Sequence, residues 1–196
     1  YEPFGFSVDW PDNVPFRTAG TDGKLIYMTM NPVVAWQIHP KLSIAAGPTF
    51  NYSDINLERG LLPAPDIVPG DRFKFDGDNW AYGFTAGLLW KPQDQWSFGL
   101  SYRSASRMKY KGTASISPAF LAPSPLPASA HTSATWDYPQ IIIGGVSWRP
   151  NEKWNFEFDV DWADWNSVDQ LTIAPYAVEK LDWHSSFMYE FGVTRY

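Results

Sequence analysis

Long stretches of the sequence alternate between apolar and other residues, and this period of two constrains the fold more than any other feature. From Trp80 to Trp90 the even positions read Trp, Tyr, Phe, Ala, Leu and Trp. The segments 96–102 and 154–162 repeat the pattern, with Ser, Gly, Asn, Glu or Asp between the apolar residues. Alternation of this kind predicts strands with one apolar face. It persists for about ten residues per strand, roughly twice the usual length in soluble proteins.

The alternation predicts an all-β antiparallel fold of about eight strands, in a single domain over residues 1–196. No segment shows helical periodicity and no composition shift marks a linker. The strands are expected near 4–10, 24–37, 42–56, 73–90, 96–116, 132–149, 154–173 and 182–196.

Short and long connections alternate along this map. "WKPQDQW" and "WRPNEKW" each place two tryptophans six residues apart around a polar turn, and "WQIHPKL" is a weaker third copy. Proline and polar residues interrupt strands and favour turns. The connections at 38–41, 91–95 and 150–153 are therefore short, and those at 11–23, 57–72, 117–131 and 174–181 are longer.

Two architectures fit long amphipathic strands: a soluble β-sandwich and a transmembrane β-barrel. The apolar positions from Trp80 to Trp90 carry no charge. They span roughly 33 Å of strand, or about 25 Å of membrane normal when tilted, which is the height of an outer-membrane apolar band. Segregated loop lengths are also typical of barrels. The barrel is favoured, with Trp90 and Trp96 at the periplasmic rim and Phe98 and Phe156 near mid-membrane, pointing outward.

The composition excludes several function classes. A net charge of -6 argues against a nucleic-acid partner, and the absence of cysteine excludes disulfides and thiolate chemistry. The three histidines form no metal-ligand spacing, and no nucleophile or phosphate-binding motif occurs. We therefore expect no enzyme activity, no metal and no cofactor.

The polar strand face would line the barrel lumen. Glu157, Asp159 and Asp161 share that face by their odd numbering, and Arg103 and Arg107 would face them from elsewhere in the wall. Three acids on one strand suggest a cation site, acid/base catalysis or a solvated, salt-bridged lumen. The last is the simplest interpretation.

The sequence resembles the FadL/TodX family of outer-membrane transporters. The resemblance lies in "MTMNPVVAWQIHPKLSIAAGPTFNY", in "GDNW" before Gly83 and Gly87, in "GLSYRS", and in "WADWNS". It implies a fourteen-stranded barrel with an N-terminal hatch and a lateral opening in the wall. The chain would then be an internal part of a longer protein, a partial barrel without the hatch and the terminal strands.

The resemblance also implies passive uptake of long-chain fatty acids or aromatic hydrocarbons across the outer membrane of a Gram-negative bacterium. Expected partners are a hydrophobic small molecule, outer-membrane lipids and lipopolysaccharide, and the protein is expected to be a monomer. The alternatives are a general porin for polar solutes and a soluble sandwich that binds carbohydrate.

The candidate ligand-binding residues lie in the long connections, which are apolar for segments in water. Arg59 would meet the carboxylate of a ligand, because a guanidinium stays charged and can grip a carboxylate through two hydrogen bonds. A solvent-exposed arginine paired with Glu58 or with a lipopolysaccharide phosphate is the competing interpretation. The apolar candidates are Leu61, Leu62, Phe120, Leu121 and Leu126.

Overall fold

The computed structural model describes residues 2–63 and 65–196, so Ala64, in the expected loop 57–72, lies outside the described residues. Two short 3-10 helical turns occur among them, at Ala119–Leu121 and Trp165–Ser167. Among these residues, no helix has the length and apolar character needed to cross a membrane. The described strands are β1 (Glu2–Asp9), β2 (Asp22–Met30), β3 (Val34–His39), β4 (Leu42–Gly60), β5 (Arg72–Gln93), β6 (Trp96–Arg103), β7 (Ser106–Ser117), β8 (Ser129–Tyr138), β9 (Ile141–Asn151), β10 (Trp154–Ala163), β11 (Gln170–Ala174), β12 (Ala177–Lys180) and β13 (Ser186–Arg195).

These strands form one antiparallel sheet, which confirms the predicted fold class. In the described chain there are thirteen strands but eight long ribbons, because short breaks divide five ribbons into pairs. β2 continues into β3, β6 into β7, β8 into β9, β10 into β11 and β12 into β13, and each ribbon pairs with the next one along the chain.

One end of the sheet carries tight turns and the other carries longer loops. The tight turns β3–β4, β5–β6 and β9–β10 are the three predicted ones, and we call this the short-turn end. The loops 10–21, 61–71 and 118–128 mark the long-loop end. The expected loop at 174–181 is wrong in part, because residues 177–180 form β12 after a tight turn.

The apolar band on the outer, convex face follows the predicted parity. Leu88 lies opposite both Ile44 and Leu100 in register, and all three side chains are at least 40% exposed to the surroundings. Trp96 lies opposite Trp148, and the two rings stack with centroids 5.7 Å apart. The predicted aromatic rim at the short-turn end is therefore confirmed.

The expected depth of Phe98 and Phe156 is wrong. Phe98 lies opposite Trp90 and Phe156 lies opposite Trp148, so both belong to the aromatic rim. Leu100 lies one outward position farther from the rim and is the better mid-membrane residue.

The parity reverses between β6 and β7. Seven residues separate Asp78 from Thr85 on β5, whereas eight separate their partners, Lys111 and Arg103. One extra residue in a ribbon moves every later side chain to the other face. Arg107 is consequently on the outer face, 73% exposed and bonded to Asp137, and its expected position in the lumen is wrong.

The inner, concave face divides into two zones. At the long-loop end its side chains form an apolar core that includes the fully buried Phe75, Met108 and Ala134. Residues of β2, β4, β5, β7, β8 and β11 contribute to this core, so the sheet is curled strongly enough for distant ribbons to touch. Towards the short-turn end the same face becomes an open trough of mostly small side chains, which includes Ser97, Ser147 and Asp159.

Candidate functional site

A pocket of about 330 Å³ lies at the long-loop end, where the two sides of the curled sheet approach each other. β1, β2, β4 and β5 form one wall, and β11 and β12 form the other. We call it the outer pocket. Its main side chains are Phe6, Val8, Leu57, Arg59, Phe73, Leu171, Ile173, Ala177 and Glu179.

The strand periodicity explains why apolar groups meet here. Leu57, Arg59 and Phe73 occupy odd positions of β4 and β5, which face inward. Leu171 and Ile173 are the inward residues of β11 and pack on the same core. The outer pocket is therefore an extension of the apolar core, open on one side.

Arg59 is the candidate residue that the structure places in the outer pocket. It lies within β4 and not in the following loop, directly opposite Phe73 in register. Its guanidinium carbon is 5.6 Å from the centre of the Phe73 ring, within cation–π distance. The guanidinium thus has an aromatic support on the pocket wall. The acids that also line the pocket include Glu58 and Glu179.

A buried ion pair fastens the loops beside the pocket. The Arg17 guanidinium donates to both carboxylate oxygens of Asp71 at 2.8 Å, and the two side chains are 2% and 0% exposed. Arg17 Nε also donates to the Asp12 carbonyl at 2.7 Å. The amide of Leu62 donates to Asp71 at 2.8 Å. These contacts, which we call the Arg17–Asp71 cluster, connect loop 10–21 to both ends of loop 61–71.

The two charges of the Arg17–Asp71 cluster stabilise each other, and the cluster is tightly packed. Hydrogen bonds from Arg17 lower the pKa of Asp71 below its ordinary value, and Asp71 in turn raises the pKa of Arg17. Burial alone would shift both in the opposite direction. A Cβ atom on Gly60 would lie 2.4 Å from the Arg17 guanidinium, so a larger residue there would require the Arg17 side chain to move.

The other candidate residues lie in the loops above the core, and the structure does not gather them into one wall. Leu61 and Leu121 pack against the core as half-buried side chains. Leu62 and Leu126 are also half-buried, whereas Phe120 is 74% exposed. Their role in ligand binding stays a prediction.

A layer of hydroxyl groups crosses the concave face below the apolar core. The Tyr110 hydroxyl lies 2.9 Å from Ser53 Oγ and 2.9 Å from the Tyr138 hydroxyl. The Tyr27 and Tyr138 rings are 4.5 Å apart. Ser53 and Tyr110 are fully buried, so β4 touches β7 although β5 lies between them in the sheet.

The trough at the short-turn end carries the predicted acids among small side chains. Glu157 and Asp159 line it from β10, and Asp161 lies on the same face beside Arg103. Asn155 donates to Glu157 at 2.7 Å and accepts from Ser147 at 2.8 Å. In the described part of the chain, no group of three His, Asp or Glu side chains could hold a metal ion.

Half of the outer pocket could not be predicted from the sequence. Phe6 and Val8 were expected only as part of a strand, and Leu171 and Ile173 lie seventeen or more chain positions beyond Trp154 with no motif around them. Their alternation predicts an inward face, but only the curl of the sheet brings β1 and β11 together. A pattern within single strands carries no such information.

The sequence over residues 1–195 matches the family of outer membrane protein transport proteins that is described as OMPP1/FadL/TodX. The chain belongs to this family. Family membership confirms the transmembrane barrel and places the protein in the outer membrane of a Gram-negative bacterium. A soluble sandwich is thereby excluded. No curated protein sequence matches the chain.

Solved structures of FadL-family proteins have the same fold. A Pseudomonas aeruginosa FadL homologue is similar with a TM-score of 0.83 and 19% identity, over 96% of this chain and 50% of that one. The Pseudomonas putida toluene transporter TodX is similar with a TM-score of 0.68 and 16% identity, over 97% of this chain and 59% of that one. The Ralstonia pickettii toluene transporter TbuX is similar with a TM-score of 0.66 and 13% identity, over 97% of this chain and 59% of that one. The chain thus spans half to three fifths of the length of these FadL-family structures.

Proposed function

We propose that the protein lets small hydrophobic molecules cross the outer membrane passively, without catalysis and as a monomer. The observation that carries this proposal is the outer pocket, an apolar cavity with one arginine at the long-loop end. A FadL-family protein of the outer membrane has its long loops outside the cell, where a ligand arrives. The pocket is therefore in the position of a capture site.

The chemistry of capture is partition. Each methylene that leaves water for an apolar wall gains about 0.8 kcal/mol. A cavity of 330 Å³ lies at the lower end of the sizes typical of small-molecule sites. It suits one aromatic ring or a segment of an alkyl chain. Binding of this strength is reversible, as transport requires.

Two substrate classes fit the lining. Long-chain fatty acids would place the carboxylate on Arg59 and the chain along Leu57, Phe73 and Ile173. Aromatic hydrocarbons would use the same apolar wall without Arg59, and the similar proteins TodX and TbuX are described as toluene transporters. The half-buried Leu61, Leu62, Leu121 and Leu126, with the exposed Phe120, would form the apolar surface that a ligand meets first.

The substitution Arg59→Gln tests the fatty-acid assignment in the full-length protein. Binding of a long-chain fatty acid should weaken by about 1.5–3 kcal/mol, the scale of a charge-assisted hydrogen bond. Binding of an uncharged alkane of the same length should hardly change. Titration of each ligand against the purified protein in detergent measures both affinities.

Arg149→Gln is the matched control, because Arg149 also lies over an aromatic ring, that of Tyr196, but at the short-turn end of the sheet. It should leave both affinities unchanged. Equal losses for acid and alkane with Arg59→Gln would show a disturbed pocket. No loss for either would remove Arg59 from the site.

A general porin is the competing function, and the acids Glu157 and Asp159 in the trough favour it. Above the trough, however, the described inner face is filled by Phe75, Met108 and Tyr110, each fully buried. This filling favours a route for apolar ligands over an open water channel. Liposomes containing the full-length protein should take up toluene or a fatty acid but not arabinose, whereas rapid arabinose entry would indicate a porin.

A further inference from the structure

The outer wall carries a row of cations at the long-loop edge of the apolar band, where Lys111 lies opposite Asp78, two positions beyond Trp80. After the reversal of parity, β7 points Arg107, Lys109 and Lys111 outward. Met108 and Tyr110, which alternate with them, point inward and are buried. On β12, Lys180 lies opposite Gln170 in register and also points outward, since Ile173 and Leu171 of β11 point inward. We call these four residues the outer cationic surface.

Hydroxyl groups fill the space between these cations. Lys109 lies opposite Thr135, which in turn lies opposite Thr172 of β11. Lys111 lies opposite Ser133. Successive outward residues on a strand are about 6.8 Å apart. The lysines therefore follow one another at this spacing along β7, and the hydroxyls of Thr135 and Ser133 lie across from them on β8.

Most of this charge is not neutralised by the protein. Arg107 is bonded to Asp137 through two contacts of 2.6 and 2.9 Å. Among the described residues, Lys109, Lys111 and Lys180 form no ion pair, although Asp78 lies opposite Lys111 in register. Three exposed lysines therefore remain available on one face.

The position of the row identifies its partner. Along the ribbon, Tyr102 is the last outward residue of the apolar band, and Arg107 follows directly after the break at Ser104 and Ala105. Because the long-loop end faces out of the cell, the row lies at the level of the head groups of the outer leaflet. That leaflet consists of lipopolysaccharide, whose lipid A carries phosphates at this depth.

We propose that the outer cationic surface binds the phosphate groups of a lipopolysaccharide molecule seated against β7 and β8. The ammonium groups of Lys109 and Lys111 would contact phosphate oxygens, and the hydroxyls of Ser133 and Thr135 would add neutral hydrogen bonds. The acyl chains would lie along the apolar band beneath, on Tyr102 and Leu100. This site is on the outside of the barrel and does not depend on what passes through it.

The test compares lipid A binding to the full-length protein and to the variant Lys109→Gln/Lys111→Gln. Native mass spectrometry of the detergent-solubilised protein would measure binding of diphosphoryl lipid A, dephosphorylated lipid A and phosphatidylglycerol. The double variant should bind diphosphoryl lipid A about tenfold or more weakly. Dephosphorylated lipid A should bind weakly to both proteins, to the same extent.

The matched control is Lys91→Gln/Lys153→Gln, which removes one lysine from the end of β5 and one from the β9–β10 turn, both at the short-turn end. It should bind diphosphoryl lipid A as the unmodified protein does. Unchanged binding by Lys109→Gln/Lys111→Gln would overturn the proposal. So would equal binding of phosphatidylglycerol and diphosphoryl lipid A, since the surface would then be a general anion patch.

Discussion

A single buried ion pair organises the loops beside the outer pocket. Arg17 and Asp71 are 54 positions apart in the sequence, and both side chains are shielded from water. Removing one partner leaves an uncompensated buried charge, which typically costs about 3–5 kcal/mol. Asp71→Asn should therefore lower the free energy of unfolding by about this amount. Urea-induced unfolding of the full-length protein in lipid vesicles measures the loss.

The exposed pair of Arg72 and Asp12 provides the control. Their side chains are 42% and 54% exposed, and such pairs contribute about 0–1 kcal/mol.

The pKa of Asp71 is lowered by Arg17, so the contribution of the buried pair is complete above about pH 4, the unfolded value. It is lost only as the pH falls through the lowered pKa. A loss of stability between pH 7 and 5 that Asp71→Asn abolishes would contradict this assignment.

The register of β5, β6 and β9 fixes which side chains meet lipid. Leu100 lies opposite Leu88 and Gly144 within the apolar band. Ser101, the next residue, lines the trough on the inner face. Leu100→Arg should cost about 2–4 kcal/mol of folding free energy in a bilayer, because the charge would enter hydrocarbon. Ser101→Arg should cost far less, because Ser101 points inward and away from lipid. Ser101 and Asp161 lie on either side of the inward-facing Ile143 in register, so the acid is near the new charge. Equal costs in vesicle refolding titrations would refute this register.

The elements were predictable from the sequence to the extent that their periodicity is uninterrupted. The eight ribbons, the short turns and the tryptophan rim all follow from alternation and turn residues. Phe98 was placed too deep because the pattern indicates which face a residue is on, but only register gives its height. Arg107 was assigned to the lumen because the odd-numbered pattern continues through Ser104 and Ala105, where one additional residue reverses it.

The outer pocket was less predictable, because it is a property of the whole curled sheet. Arg59 was identified from its charge beside an apolar loop, and the structure places it in the pocket. Phe6 and Ile173 reach the same pocket from opposite ends of the chain, and no local pattern connects them. The ion pair of Arg17 and Asp71 was missed for the same reason.

At the scale of the whole molecule, hydroxyl groups hold the curled sheet together across its concave face. Tyr110 joins Ser53 of β4 to Tyr138 of β8, and Ser53 also donates to the carbonyl of Ile26 at 2.8 Å. Four ribbons that are not all neighbours in the sheet thus share one chain of hydrogen bonds. Such a chain should act as a unit, because each bond polarises the next in a dry interior.

The double-mutant cycle of Tyr110→Phe and Tyr138→Phe tests this unit. Each single change removes one hydroxyl and should cost about 0.5–1.5 kcal/mol of unfolding free energy. The second change should cost measurably less once the first is present, since both remove the same hydrogen bond between the two hydroxyls. Tyr189→Phe, on the exposed face of β13, is the control and should change stability by less than about 0.5 kcal/mol. Strictly additive losses would mean that the two tyrosines stabilise their own strands independently, and that apolar packing of Phe75, Met108 and Ala134 alone maintains the curl.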